Sequence, residues 1–226
     1  MRDYILCTLG TRGDVQPFID IGRALKARGA SVTLCSNRHW RDLAETVGLS
    51  FQGIADPDPS QSGRDDIAFF RRQVLPAFSR MYEMIVGAIR AGRTPTIVFK
   101  SGMLGAECAV ERLGLNGVRI VLQPSAIRST TQPPWPLSAV LRKPSVLISG
   151  VQSALYELSE FLSVYAGECR AFRRSVGAVG PGLKSEATAT VVLCPDWFAE
   201  PQPDWPKGSV CAGFPVDRRS ECPDRI

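Results

Sequence analysis

Three observations predict an α/β fold with a parallel sheet covered by helices on both faces. Short, nearly continuous apolar runs recur along the chain, as strands buried on both faces require. Amphipathic stretches of helical period separate those runs, and glycines stand where the helical stretches end. Alternation of this kind also implies right-handed crossovers between neighbouring strands.

The elements follow in order. Residues 4–9 (Tyr-Ile-Leu-Cys-Thr-Leu) read as a buried strand. The next helix carries Val15, Phe18, Ile19, Ile21 and Leu25 on its apolar side, Pro17 in its first turn, Lys26 and Arg28 in its last, and Gly29 just past its end. A second strand covers 31–35, a helix runs from Arg38 to Val47 and stops at Gly48, and a third strand covers 49–54. Residues 55–65 are a loop by composition. One or two helices over 66–91, broken near Pro76, lead to a strand at 95–99. A helix at 103–113 ends at Gly114, and a strand follows at 118–122. The second half is less regular: a proline-rich stretch over 123–144, a long helix over 150–176, a buried strand at 189–194, and a short strand at 209–212. No internal repeat is present.

Composition narrows the function. Of 226 residues, 44% are hydrophobic and 22% charged, which excludes a disordered chain. The net charge of +5 is dispersed and lacks the basic clusters of a nucleic-acid binder. The arginine pairs Arg71-Arg72, Arg173-Arg174 and Arg218-Arg219 read as solvated faces, with peripheral contact to an anionic membrane as the weaker alternative. The first apolar run ends at Gly10, too soon for a signal peptide, and no apolar stretch approaches the roughly 20 residues that span a bilayer. The seven cysteines include no CxxC pair, which points to reduced, buried thiols in a cytoplasmic protein and to no metal knuckle.

The stretch CTLGTRGDVQP, residues 7–17, joins the first strand to the first helix. That position is the carboxyl edge of the sheet, where ligands of open α/β folds bind. Gly10 and Gly13 permit unusual backbone angles and close approaches, and the helix amino terminus favours anions. A dinucleotide fingerprint fails here, because the glycines are spaced GxxG and the second strand ends Cys35-Ser36-Asn37-Arg38 without an acid. Ser36 and Arg38 are groups able to hold a 2′-phosphate, but the glycine pattern is wrong for it. Two readings of Asp14 remain: a helix cap, contributing about 1 kcal/mol, or a general base facing a ligand cleft.

Residues Gly10 to Pro17 match the motif G-[ST]-R-G-D-x-x-P. With it, the chain resembles the amino-terminal segment of two-domain GT-B glycosyltransferases, in the group that includes sterol glucosyltransferases, glycopeptide glycosyltransferases and rhamnosyltransferase B chains. VLQPSAIRSTTQPP (121–134) resembles the segment after that family's fifth strand, and LCPDWFAEPQPDWPKGSVCAGFP (193–215) resembles the run closing its amino-terminal domain.

The resemblance implies a Rossmann-like acceptor-binding domain over residues 1–215, with 216–226 beginning a linker to an absent carboxyl-terminal donor-binding domain. It implies transfer of a sugar from a nucleotide diphosphate sugar to a hydroxyl of a hydrophobic, small or lipid-like acceptor, with inversion and without a metal or other cofactor. Asp14 would be the base, with Gly10, Thr11, Arg12 and Gly13 towards the donor. Gln16, Gln123, Pro124, Ser125 and Trp135 would border the acceptor. The single histidine, His39, reads as a surface or helix-start residue. Trp197, Phe198 and Trp205 read as staples of the crossover to the next domain. By the same reading this chain alone is inactive. A non-catalytic partner subunit and, behind it, an NAD(P)-dependent reductase are the competing functions.

Overall fold

The computed structural model of the protein describes residues 1–56, 69–127, 129, 165–178 and 189–215. Its described elements are β1 (Asp3–Cys7), α1 (Arg12–Ala27), β2 (Ser31–Asn37), α2 (Arg41–Thr46), β3 (Ser50–Ala55), α3 (Leu75–Arg90), β4 (Thr96–Lys100), α4 (Leu104–Leu113), β5 (Gly117–Val121), α5 (Ala166–Ser175), β6 (Ala189–Val192) and β7 (Val210–Cys211). They form the predicted α/β architecture, a seven-stranded sheet in the order β3-β2-β1-β4-β5-β6-β7. Every neighbouring pair is parallel.

Alternation along the strands divides the core. On one face Leu6, Leu34 and Val98 pack with Val15, Phe18 and Ile19 of α1. On the other, Ile5, Cys7 and Phe99 pack with α3 and α4 through Phe78, Met81 and Ala109. Leu6 and Ile5 are each wholly buried, as successive residues of a strand covered on both sides must be. Each such aliphatic or aromatic side chain stabilises the fold by about 1.5–3 kcal/mol relative to exposure.

The structure corrects several boundaries. Helix α1 begins at Arg12, so Pro17 lies inside it rather than in its first turn. Pro17 there withholds the N–H that would bond the Gly13 carbonyl. The stretch 38–47 divides into a 3₁₀ turn, Arg38–Trp40, and the short α2. The break expected near Pro76 falls earlier, as a π-helical turn over Phe70–Val74, with Pro76 tolerated in the first turn of α3. Of the expected long helix over 150–176, residues 165–176 are described, and Ala166–Ser175 of them are helical. Most of the loop at 55–65 lies outside them.

Candidate active site

Strand order places the crevice. The chain passes outward from β1 through β2 to β3, then returns to pair β4 on the other side of β1. The boundary between β1 and β4 is therefore a topological switch point, and the loops leaving the two strands part there. One loop carries residues 8–11. The other begins at Lys100, the last residue of β4, aligned one position beyond the Cys7–Phe99 register pair.

Asp14 is the third residue of α1, and Thr11 is the N-cap residue; the expected cap is thus the capping-box partner of Thr11 rather than the N-cap itself. The Thr11 N–H donates to Asp14 Oδ2 at 2.9 Å, and the Thr11 hydroxyl lies 3.1 Å from the same oxygen. Lys100 Nζ donates to Asp14 Oδ1 at 3.0 Å and to the Leu9 carbonyl at 2.8 Å. Lys100 reaches this point because it lies two residues beyond Val98, whose side chain faces α1. The side chains of Lys100 and Asp14 are 20% and 30% exposed, so the pair is sheltered yet open to a ligand.

The loop itself is held by side chains. Gly10 has φ +137°, and a Cβ there would meet Asp14 Oδ2 at 2.1 Å, so this position requires glycine. Its N–H donates to Asn37 Oδ1 at 3.1 Å, and its carbonyl accepts from Trp40 Nε1 at 3.2 Å. A register shift between Ser36 and Asn37 re-aims the end of β2 towards the loop. The Thr8 hydroxyl donates to the Asp14 carbonyl at 3.0 Å.

The other expected site residues fare differently. Gly13 is exposed and helical, with only Thr11 Oγ1 at 3.9 Å from a notional Cβ, so no close approach requires glycine there. Arg12 is exposed and makes no ion pair among the described residues. Gln16 Nε2 lies 3.4 Å from both carboxylate oxygens of Asp20, one turn along α1. Gln123 and Pro124 enter a 3₁₀ turn, Pro124–Ala126, beyond β5. That places them about 10 Å along the sheet edge from β1, two strand spacings away. Ser125 lies in the same turn, and its side chain is outside the described residues, as is all of Trp135.

His39 is exposed, edge-on to Trp40, as expected of a surface residue. Ser36 is wholly buried and Arg38 pairs with Asp56 at 2.6 Å, which removes the two groups considered for a 2′-phosphate. Trp205 is buried against Val121, Val192 and Cys194, but Trp197 and Phe198 are largely exposed and meet each other and Phe214 edge-on.

Sequence reasoning missed Lys100, Asn37 and Trp40. The signal available was a lysine closing the apolar run TIVFK, but only the β1–β4 pairing brings it to Asp14.

Chemistry elsewhere is sparse. The described cysteines, Cys7, Cys35, Cys108, Cys169, Cys194 and Cys211, are free, and burial pushes the Cys108 thiol up to about 12, which keeps it protonated. No cluster of three or more metal-binding side chains occurs among the described residues. No described helix is long and apolar enough to cross a membrane. A concavity at the opposite edge of the sheet is lined by Met1, Asp3, Tyr4 and Thr96, and its one carboxylate is held by Arg93 through two bonds of 2.9 Å.

Residues 4–102 match the model of the glycosyltransferase family 28 N-terminal domain. A sterol 3-beta-glucosyltransferase of Yarrowia lipolytica is 40% identical over 58 residues, 26% of this chain and 4% of that protein. O-mycaminosyltylonolide 6-deoxyallosyltransferase of Streptomyces fradiae is 46% identical over 54 residues, 24% of this chain and 13% of that one. Among solved structures, the glycotransferase of kitacinnamycin superposes with a TM-score of 0.64 at 16% identity, covering 99% of this chain and 54% of its own. At that identity the likeness is one of fold, and the chain spans about half of the solved protein.

Proposed function

We propose that the protein is the acceptor-binding half of an inverting sugar transferase, a reading supported by the match of residues 4–102 to the glycosyltransferase family 28 N-terminal domain and by the fold shared with GT-B glycosyltransferases. The observation that carries this reading is a sheltered carboxylate at the sheet's switch point, held by the end of the neighbouring strand.

A carboxylate has about four lone-pair directions. Asp14 Oδ2 already meets the Thr11 N–H and hydroxyl, whereas among the described residues Oδ1 meets only Lys100. Oδ1 is therefore the atom with room for a substrate proton. In the proposed step the acceptor oxygen bonds to the anomeric carbon while the bond from that carbon to the donor phosphate breaks. The nucleoside diphosphate leaves with the electron pair, the anomeric centre inverts, and the acceptor proton passes to Oδ1. The helix amino terminus beside Thr11 and Arg12 favours the donor's negative charge as the two halves close. The acceptor lies along the edge towards Gln123 and Pro124, and we read it as hydrophobic, small or lipid-like. No metal is needed in this scheme.

The test is Asp14→Asn in the enzyme joined to its donor half. The expected result is a fall in kcat of about 10²–10⁴-fold with an unchanged melting temperature. Near-full turnover by this variant would return Asp14 to the role of helix cap.

A further inference from the structure

Two consecutive peptide planes in front of the base are pinned at both ends by side chains: Lys100 of β4, Asn37 of β2, Trp40 of the 3₁₀ turn after β2, and Asp14 of α1 itself. In the Leu9–Gly10 peptide, the carbonyl accepts from Lys100 Nζ and the N–H donates to Asn37 Oδ1. In the Gly10–Thr11 peptide, the carbonyl accepts from Trp40 Nε1 and the N–H donates to Asp14 Oδ2. We propose that Lys100, Asn37 and Trp40 are positioning residues of the transfer reaction, which hold the base and its loop in working geometry before substrate binds. This inference rests on Asp14 being the base.

The argument is one of degrees of freedom. Gly10 sits at φ +137°, in a backbone region where glycine has no strong intrinsic preference, so its neighbours must decide the conformation. Starting α1 needs only the reciprocal Thr11–Asp14 bonds. The three remaining donors and acceptors act upstream of the helix, on a loop that capping does not require them to order. Lys100 is the link between the two functions, because one ammonium holds both the Leu9 carbonyl and Asp14 Oδ1. It thereby sets the carboxylate rotamer relative to the peptide planes that border the crevice. Asn37 is buried, and its side-chain carbonyl oxygen accepts the Gly10 N–H. Misplacing a reacting group by about 1 Å costs on the order of 10²-fold in rate, which is the scale on which such a set acts.

The experiment uses two conservative variants in the enzyme joined to its donor half, with Asp14→Asn as reference. Lys100→Met keeps the side-chain stem and removes the charge; Trp40→Phe keeps an aromatic ring and removes the indole N–H together with part of the ring system. Each is expected to lower kcat while leaving acceptor KM and melting temperature in place, Lys100→Met by about 10²-fold.

On the present chain, Asn37→Leu is expected to speed hydrogen exchange at the Gly10 amide by about tenfold or more, with the β1 and β4 amides unchanged. A Lys100→Met enzyme with wild-type kcat, a loss explained wholly by unfolding, or an unaltered Gly10 exchange rate would overturn the proposal. If Asp14→Asn collapses turnover while Lys100→Met does not, the positioning role alone is lost. If Asp14→Asn is fully active, the base reading fails and takes this inference with it.

Discussion

Glu107, in the first turn of α4, shows how a single residue records its environment. It is 1% exposed; Oε1 accepts the Gly102 N–H at 3.2 Å, while Oε2 has no hydrogen-bond partner among the described residues. Burial raises its pKa above the ordinary carboxylate range, although Arg119, the Gly102 N–H and Arg173 act against that rise. The folded protein therefore holds this proton to higher pH than the unfolded chain does. Its contribution to stability is complete below the ordinary carboxylate value and is lost as pH rises through the raised one. Glu107→Gln cannot ionise, so it should match the wild type at low pH and exceed it above that window. Urea midpoints across pH would show this, and parallel curves for the two proteins would refute it. At this scale the sequence identifies Asp14 through its motif, but Lys100 appears only as the polar end of an apolar run. Its role depends on a partner 86 positions away, which no local pattern encodes.

At the scale of elements, the contact between α3 and α4 depends on the absence of a side chain. A Cβ on Gly105 would stand 2.2 Å from the Phe78 carbonyl oxygen and 3.1 Å from Met81 Cβ. The nearest obstacle is backbone, which cannot rotate aside, so Gly105→Ala must push the helices apart. The expected cost is roughly 1–3 kcal/mol, read as a lower urea midpoint at unchanged slope. An unchanged midpoint would mean that the helices separate freely. The helical period of α1, α3 and α4 is legible in their residues, and so are most strand positions. The π-helical turn at Phe70–Val74 is not, because nothing in FRRQV distinguishes a π-turn from an ordinary one. Helix α1 likewise starts at Arg12, two residues before Asp14, because Thr11 takes the N-cap position.

Across the whole molecule, the parallel sheet brings the loop after β1 against the end of β4, and the proposed chemistry follows from that meeting. The solved protein with this fold extends over about twice the length of the chain, which covers 54% of it. The proposed function leaves donor recognition to a second half. On that reading the present chain by itself turns over no nucleotide sugar and binds UDP weakly. Calorimetry with UDP and a turnover assay with UDP-glucose test this directly; tight UDP binding or sustained transfer would overturn it. The exposed trio Trp197, Phe198 and Phe214 lies where the described chain approaches its last strand and beyond.

The sequence by itself determined the α/β class, most element positions and the loop that carries Asp14. These depend on periodicity, glycine stops and a contiguous motif, all of which are local. Tertiary structure decided which glycine is required, that Asp14 sits third in its helix, and that Lys100, Asn37 and Trp40 converge on the peptides before it. Those facts depend on strand order and register, which are settled by packing across the whole sheet. Gly10 and Gly13 are the same letter in the same motif; only Gly10 has a carboxylate folded back over its Cα.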